Sequence, residues 1–529
     1  MSLESSLKSI EKHEQYLVYI EKFEDRIGQA SDDEEYQTLY YRSHLLISNG
    51  LYKEAVVLLQ KAYELASKVK NDYIWSSLYY NICHLYAATL DYLGDVKHAE
   101  ELFIELLELN PNGIHLGDYA IFLHKRKRDY NNAHNYYIKA LQIYPNQSSI
   151  HLKYAGFLRH IKNDLIGTET HYKLAIETNP DNTDALGSYA SFLHGVLKKI
   201  DLAEQFYAKS IQIDGTHANN LCNYGLFLSE EKKQYDKAEE MYKQSIEVSP
   251  RHANSLYNYA VMLDTRCNRK SEAESYYRRC LDEEPRHSFA LYNLAVLLEE
   301  KYTLWEQEND QGDAQQRVVF EKDRKKKRQE VCLLYKRTVD VDDKDSVVLA
   351  DYGRYLSSKC EDYETAEPIL RRAIDLNPSN QVALYHSGIL YHRRPGSKRN
   401  LNQSEIMFRK LLDVNRNHGA GIQQLARVLV DIFKDGGQST SSNKISVKSD
   451  FVPASPFDEA MDMYERAITV VKDPGTVSME YVKVVTSYGS NRQKLRAISV
   501  MDDVLKTKNL IKGTEIKQIL ESAKVNLKA

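Results

Sequence analysis

The sequence predicts an all-α fold built as a solenoid of antiparallel helix pairs. Residues 221–255 and 256–290 are two copies of one pattern, with two short amphipathic segments, a polar break between them and a proline near the end. One position of this pattern recurs every 35 residues, and it holds Tyr119, Tyr154, Tyr189, Tyr224, Tyr259 and Leu294. Self-similarity at such a period is typical of repeat proteins, in which each unit buries its apolar face only against its neighbours.

The predicted elements begin with an amphipathic helix over residues 1–30. Leu3, Leu7 and Ile10 open a series of apolar residues there at intervals of three, four or seven, which places them on one helical face. The first part of the repeat array then occupies residues 31–301. The usual period of this array is 35 residues.

The second helix of each predicted pair carries three characteristic positions, and the number of helix pairs is counted from them. A small residue is followed four residues later by a large one and three further on by another small one, as in Ala238, Tyr242 and Ser245. These intervals place the three side chains on one face of the helix. Two helices with axes about 8–10 Å apart need small residues where their backbones cross and a large side chain beside them. The signature predicts about twelve helix pairs.

A polar insertion, residues 302–330, interrupts the array. The step from Leu294 to Tyr352 is 58 residues, which is 23 more than the usual period. We expect this charged insertion to lengthen the two flanking helices into a hairpin. The second part of the array follows over residues 331–433.

The C-terminal part of the chain contains a second interruption. Residues 434–456 are rich in Gly, Ser and Lys, a composition that predicts a disordered loop. The last repeat units are predicted over residues 457–508. Apolar residues recur at helical spacing over residues 509–529, which we interpret as a C-terminal capping helix of the kind that solenoids need for solubility.

Composition narrows the range of functions. Lys and Arg number 71 against 75 Asp and Glu, and the net charge of −4 favours neither nucleic acid nor an anionic membrane as a partner. No stretch approaches 18 apolar residues, so no membrane association is expected. The 6 cysteines show neither a CxxC pair nor metal-ligand spacing and predict a reducing compartment. We therefore expect a cytoplasmic protein, or a nucleocytoplasmic one if the basic run Arg324–Arg328 acts as an import signal.

The pattern of small, aromatic and proline positions in the two helices resembles the tetratricopeptide repeat (TPR) over roughly residues 33–508. The small residue in the first helix, the alanine–aromatic–alanine triplet of the second helix and the terminal proline all match that family. The chain departs from the family in its usual period of 35 rather than 34 residues, and we expect the added residue in the turn between the helices. The resemblance implies a right-handed superhelix whose concave face, lined by the first helices, binds extended peptides or a helix of a partner protein. It implies a non-catalytic interaction scaffold or adaptor, with no cofactor.

Motifs for chemistry are missing from the sequence. There is no Gly-rich phosphate loop, GxSxG elbow, HExxH pair or spaced Cys/His cluster, so we predict no catalytic, cofactor-binding or metal-binding residue. His217, His252, His287 and His418 follow the proline position and are interpreted as residues that either pack in the turn or cap the next helix. The repeated tyrosines stand in packing positions, which favours a core role over a platform for stacking bases.

Two alternative functions remain open, and a third, binding of chaperone tails through a carboxylate clamp, is not expected. The half-TPR repeats of RNA-processing scaffolds show a Tyr-Ala-x-Phe-Leu-like segment similar to residues 154–158, although the chain has only 2 tryptophans. Binding of chaperone tails would need the Lys/Asn carboxylate clamp of some relatives, which the matching positions lack. An enzyme would need an active site that leaves no motif. We expect protein partners and no direct contact with nucleic acid.

The candidate binding residues stand just before the tyrosine position, on the predicted inner surface. They are Asn223, Asn258 and Asn293, and the TPR region of O-GlcNAc transferase is similar in carrying asparagines at the matching place. A side-chain amide both donates and accepts, so it can pair with the backbone of any bound peptide. Asp264 and Glu299 are the predicted acidic neighbours, expected to add a preference for basic segments.

Overall fold

The computed structural model describes residues 32–68, 76–309, 314–396, 399–436, 455–471, 474–507 and 517–518. Within these ranges all regular secondary structure is helical and no strand occurs. The predicted helix over residues 1–30, nearly all of the loop 434–456 and nearly all of the capping helix 509–529 lie outside the described residues.

The chain divides into two compact units, Met1–Arg269 and Lys270–Ala529. The helices described in unit 1 are α1 (Asp32–Ser48), α2 (Tyr52–Ala66), α3 (Ser76–Leu93), α4 (Val96–Leu109), α5 (Gly113–Phe122), α6 (Tyr130–Ile143), α7 (Ser148–Phe157), α8 (Leu165–Thr178), α9 (Thr183–Gly195), α10 (Ile200–Ile213), α11 (Ala218–Glu230), α12 (Tyr235–Val248) and α13 (Ala253–Thr265).

Unit 2 is also built from helices over its described part. They are α14 (Lys270–Glu283), α15 (Ser288–Asn309), α16 (Ala314–Val341), α17 (Ser346–Tyr355), α18 (Tyr363–Leu376), α19 (Gln381–Arg393), α20 (Leu401–Val414), α21 (Gly419–Lys434), α22 (Pro456–Val470), α23 (Pro474–Tyr488) and α24 (Asn491–Thr507). Counted along the described chain, the helices form twelve consecutive pairs, which confirms the all-α repeat fold predicted from the period.

The small positions of the second helices lie in the core. Ala133, Ala203 and Ala238 are fully buried, which confirms the packing role assigned to them. A Cβ added at Gly225 of α11 would lie 3.1 Å from the ring of Tyr242 on α12, so a small residue is needed where these helices cross. Close crossing of paired helices therefore depends on these small residues.

The repeated tyrosines form the other part of the core. The ring of a second helix contacts the ring of the first helix that follows it, with centroids 5.1 Å apart for Tyr137 and Tyr154 and 5.8 Å apart for Tyr242 and Tyr259. All four rings are buried. These contacts confirm that the tyrosines pack between consecutive repeats, at centroid distances typical of favourable aromatic pairs.

The thirty-fifth residue of the repeat lies in the turn after the first helix. Six non-glycine residues there have left-handed backbones, with φ between 51° and 55°: Arg128, Asn163, Lys198, Lys233, Asn268 and Glu361. The next residue closes a wide turn by donating its N–H six residues back, as from Gln234 to Leu228 at 2.9 Å. In three repeats the widened turn is a π-helical segment, over Leu123–Lys127, Leu158–Lys162 and Leu356–Cys360. The extra residue thus lies where it was expected.

The charged insertion lengthens α15 and α16. α15 continues to Asn309 and α16 begins at Ala314, as the sequence predicts for the two helices that flank it. Trp305 of α15 stacks on Phe320 of α16 with ring centroids 5.1 Å apart. Lys327 of α16 lies over the same Trp305 ring at 4.7 Å. These contacts hold the two helices together beyond the regular repeat.

Candidate functional site

A groove of about 350 Å³ opens on the first helices of four successive pairs in unit 1. It is lined by residues of the first helices α5, α7, α9 and α11, by the π-helical segments Leu123–Lys127 and Leu158–Lys162, and by Tyr137 of α6 and Tyr172 of α8. The resemblance to TPR proteins predicts a binding surface on these first helices. Consecutive repeats therefore contribute matching positions to one surface.

The floor of the groove combines apolar and polar groups. Ile121 and Leu152 line it together with the rings of Tyr137 and Tyr172. Gly156 leaves the floor open, because a Cβ built on it would meet no atom within 4 Å. The hydroxyl of Tyr137 is buried and has no hydrogen-bond partner among the described residues. A bound polar group would satisfy this hydroxyl, since buried polar atoms normally have partners.

Basic side chains surround this floor. Lys125, Lys153 and Arg159 line the groove, and none of them forms an ion pair within the described part of the chain. Arg159 lies over the ring of Phe192 at 5.7 Å. The acid among the lining residues, Asp184, is bonded to His217 at 3.1 Å. The groove consequently carries a net positive charge.

Two histidines add a pH-dependent charge to the same surface. Burial and the neighbouring positive charge of Lys125 hold the pKa of His124 below its usual value. Burial and the charge of Arg159 do the same for the pKa of His160. Both imidazoles are therefore mainly neutral at pH 7, and an anionic ligand would raise their pKa values on binding.

The structure places one predicted asparagine in this groove. Asn223 of α11 contributes to the lining. Asn258 is half-buried on α13, and its Nδ2 donates to Cys222 Sγ at 3.4 Å. Asn293 is half-buried on α15, in unit 2. The role of the three asparagines in peptide binding stays a prediction.

The two predicted acidic residues belong to different units, with Asp264 on α13 in unit 1 and Glu299 on α15 in unit 2. Glu299 accepts from Arg354 Nη1 at 2.6 Å and Nη2 at 2.7 Å, and from the Tyr335 hydroxyl at 2.9 Å. Despite burial, these bonds to Glu299 raise the pKa of Arg354. In this bidentate pair the Glu299 carboxylate is already bound to side chains of the protein itself, so it stabilises the fold.

Three of the four histidines that follow the proline position serve as helix caps. His287 Nδ1 accepts from the backbone N–H of Ala290 at 3.1 Å, and His418 Nδ1 accepts from that of Gly421 at 3.0 Å. His217 does the same for Asn220 at 3.3 Å. Capping is confirmed for these three, whereas the His252 side chain makes no capping bond and contacts the side chains of Ser255 and Asn219. Across the described ranges no group of three or more His, Cys, Asp or Glu residues could hold a metal ion.

The basic run Arg324–Arg328 lies on α16. Arg328 forms a bidentate ion pair with Glu306, at 2.8 and 3.0 Å, and Arg324 pairs with Glu321. An import function for this run stays a prediction. In the described residues no helix is both long enough and apolar enough to cross a bilayer.

Comparisons with known proteins identify the repeat. The family model described as "Tetratricopeptide repeat" matches residues 80–112 and 218–252. These stretches coincide with most of α3 and all of α4, and with all of α11 and α12. No curated protein matches the sequence.

Several solved structures are similar to the chain. YrrB, solved as a TPR protein with an unusual peptide-binding site, is 18% identical; the match covers 40% of this chain and 95% of YrrB, with a TM-score of 0.29. The human IFIT1 dimer with m7Gppp-AAAA is 14% identical, with 74% and 90% coverage and a TM-score of 0.41. PilF of Pseudomonas aeruginosa is 18% identical, with 45% and 94% coverage and a TM-score of 0.36.

The two matched repeats and the ten other helix pairs share one design. Small residues lie at the helix crossings, aromatic rings pack between consecutive pairs and the first helices of unit 1 line a groove. The chain contains tetratricopeptide repeats, which the family model identifies at residues 80–112 and 218–252.

Proposed function

We propose that the chain is a non-catalytic interaction scaffold that binds an extended, acidic polypeptide segment in the groove of unit 1. The observation that carries this proposal is the groove's lining by Lys125, Lys153 and Arg159, which have no ion-pair partner within the described residues. Cations left unpaired in a concave surface attract negative charge and steer its approach.

The polar groups of the groove suit a polypeptide backbone. Asn223 offers an amide that can donate and accept, and Ser188 and Ser191 offer hydroxyl groups on the adjacent helix α9. Ile121 and Leu152 add apolar surface between them. An extended segment could therefore be held through its backbone while its acidic side chains meet the lysines and the arginine.

The non-catalytic role is part of this proposal, and its support is that the sequence carries no recognised catalytic motif. The RNA-processing alternative and a cytoplasmic location remain hypotheses, and the following experiment includes the first of them.

The experiment compares partner recovery by the intact chain and by a variant with a blocked groove. Gly156→Trp should fill the groove without disturbing the helix, since nothing lies within 4 Å of the added Cβ. Ile166→Trp is the matched control, because Ile166 is 84% exposed on α8, outside the groove lining. The wild type and both variants are used as bait in a lysate with and without RNase, and retained proteins are quantified by mass spectrometry.

The proposal expects proteins that the wild type and Ile166→Trp retain and that Gly156→Trp loses, with no effect of RNase. Equal recovery by all three baits would contradict it. Recovery that depends on RNA would favour the RNA-processing alternative. A photo-crosslinking residue at Lys153 would then identify the bound segment, which should be rich in Asp and Glu.

A further inference from the structure

A larger cavity, about 890 Å³, lies in unit 2 and is separate from the groove described above. One wall is a single face of α16, where successive lining residues from Glu321 to Lys336 are one, two or three positions apart. The other wall is the π-helical segment Leu356–Cys360 together with Asp362. The insertion over residues 302–330 therefore supplies six of the thirteen lining residues.

The two walls are held in place by Arg328. Its guanidinium pairs with Glu306 of α15, and Nη1 also donates to the backbone carbonyl of Lys359 at 2.5 Å. The hydroxyl of Tyr355 donates back to the carbonyl of Arg328 at 3.4 Å. These bonds join α15, α16 and the π-helical segment, so the cavity is a preformed site.

The cavity carries more positive than negative charge. Its lining includes six basic residues, Lys322, Arg324, Lys325, Arg328, Lys336 and Lys359. The two lining acids are already engaged, since Glu321 pairs with Arg324 and Asp362 caps α18 by accepting from Thr365 N at 3.1 Å. Lys322, Lys325 and Lys336 are exposed and form no ion pair within the described residues.

The floor between these lysines is apolar. Leu333 is 57% exposed in the cavity, beside Leu356 and the thiols of Cys332 and Cys360. No aromatic side chain is among the described residues that line it. Most binding sites for single-stranded nucleic acids stack the bases on aromatic rings. The described lining of this cavity provides no ring for such stacking.

We propose that this cavity is a second binding site, which takes an acidic polypeptide segment with a leucine-like side chain at its centre. Carboxylates of the segment would meet Lys322, Lys325 and Lys336, and the central apolar side chain would cover Leu333. Charge complementarity with an apolar centre is the usual anatomy of a specific protein interface. In this proposal the basic run Arg324–Arg328 binds the acidic segment while it remains helical and Arg328 keeps its hydrogen-bond partners. An import signal that binds in an extended conformation would require the run to leave this helix.

The two thiols supply an independent reporter of occupancy. A hydrogen bond from Cys360 lowers the pKa of Cys332, with further contributions from Tyr352 and the charge of Lys336. A thiol with a lowered pKa and partial exposure reacts readily with alkylating reagents. A segment bound over Leu333 would shield it from such a reagent.

The binding experiment uses the full chain and three fluorescein-labelled probes at low salt. They are a short peptide of Glu with a central Leu pair, the same peptide with Gln for Glu, and a single-stranded oligothymidylate of equal charge. Fluorescence anisotropy should show binding of the acidic peptide, and roughly tenfold or greater weakening when Lys322, Lys325 and Lys336 are all changed to Glu. The matched control changes Lys344, Lys410 and Lys483, exposed lysines of the same unit outside the cavity, to Glu.

The second readout is alkylation of Cys332 by iodoacetamide, followed by peptide mass spectrometry. The acidic peptide should slow the modification in the wild type and in the control variant, and leave it unchanged in the cavity variant. Equal weakening by both triple variants, no protection of Cys332, or preference for the oligothymidylate would overturn the proposal. Protection of Cys332 by the acidic peptide should persist in Gly156→Trp, which blocks the groove of unit 1, so the alkylation readout separates this site from the function proposed for unit 1.

Discussion

Gly156 and Gly187 lie on neighbouring first helices, α7 and α9, but their surroundings are opposite. A Cβ at Gly156 would meet nothing within 4 Å, whereas a Cβ at Gly187 would lie 2.0 Å from Asn220 Oδ1. Asn220 cannot give way easily, because its Nδ2 donates to Thr183 O at 2.8 Å and to Ser210 Oγ at 2.6 Å. The first glycine keeps the groove open, and the second allows two repeats to approach.

This contrast predicts stability changes of opposite sign. Gly156→Ala should raise the free energy of unfolding by about 0.5–1 kcal/mol, because alanine is the better helix former. Gly187→Ala should lower it by about 1–3 kcal/mol through overpacking. Urea unfolding of both variants followed by circular dichroism measures the difference. Equal effects of the two substitutions would show that the groove floor is not open at Gly156.

His151 and His171 form a pair whose proton positions follow from its partners. His151 Nε2 lies 2.7 Å from the carbonyl of Pro145 and must donate to it, so its Nδ1 accepts from His171 Nδ1–H at 2.9 Å. Burial, and next the charge of His151, lower the pKa of His171 to about 4. The unfolded chain has the ordinary histidine pKa of about 6.5 and therefore binds more protons between these values.

The pair predicts that unit 1 loses stability as the pH falls from about 6.5 toward 4. His171→Gln keeps a donor for His151 Nδ1 but cannot be protonated, so it should reduce this loss while changing stability little at pH 7. Urea midpoints of the wild type and the variant at pH 7 and pH 4.5 measure the effect. The same acid sensitivity in both proteins would contradict the assignment to this pair.

Single residues also show where sequence reasoning stopped. Asn223 was predicted from its register and does line the groove, and the positive character around Lys125 and Arg159 could be foreseen from the same register. The ion pair that Glu299 forms with Arg354 could not be predicted from the sequence. Arg354 lies 55 residues further along, because the insertion displaces the next repeat and hides the spacing.

At the scale of the helix pair, the turn after each first helix explains the 35-residue period. Lys233 is one of six non-glycine residues with a left-handed backbone at this place. The sequence located the extra residue but not its conformation, because such turns usually carry glycine or asparagine. This repeat has neither glycine nor asparagine at that place, and the hydrogen bond from Gln234 N to Leu228 O stabilises the turn.

Lys233→Gly should therefore stabilise the protein by about 1 kcal/mol, since glycine adopts the left-handed conformation without a steric cost. Lys233 is exposed, with φ of 55°, so few contacts are lost. Lys209→Gly, at an exposed position inside α10, is the matched control and should destabilise by about 1 kcal/mol. Thermal unfolding distinguishes them, and destabilisation by both would mean that the Lys233 side chain supports the turn.

At the scale of the whole molecule, the two units were not predictable from the sequence. The repeat runs through their boundary, with α13 ending before Arg269 and α14 beginning at Lys270. Periodicity shows which faces of the helices are apolar. Because the repeats on both sides of the boundary have the same apolar faces, the pattern gives no sign of the boundary. What the period does predict is the way stability is distributed, since each repeat packs mainly on its neighbours.

Ala238 offers a test of that distribution. It is fully buried on α12, at the crossing with α11, where Gly225 and Tyr242 already lie in close contact. Ala238→Trp cannot enter this crossing without moving the helices apart, and overpacking of this kind costs about 1–3 kcal/mol or more. In an array of nearest-neighbour contacts, the loss should be confined to the helices next to α12.

Hydrogen exchange followed by mass spectrometry measures this directly on the intact chain. Protection should fall in α11, α12 and the helices adjacent to them in unit 1, and should be unchanged in α20 to α22 of unit 2. Ala238→Ser, which fits the same space, is the control and should leave the pattern close to that of the wild type. A uniform loss of protection over both units would show one cooperative fold, in which a defect at a single crossing destabilises every repeat alike.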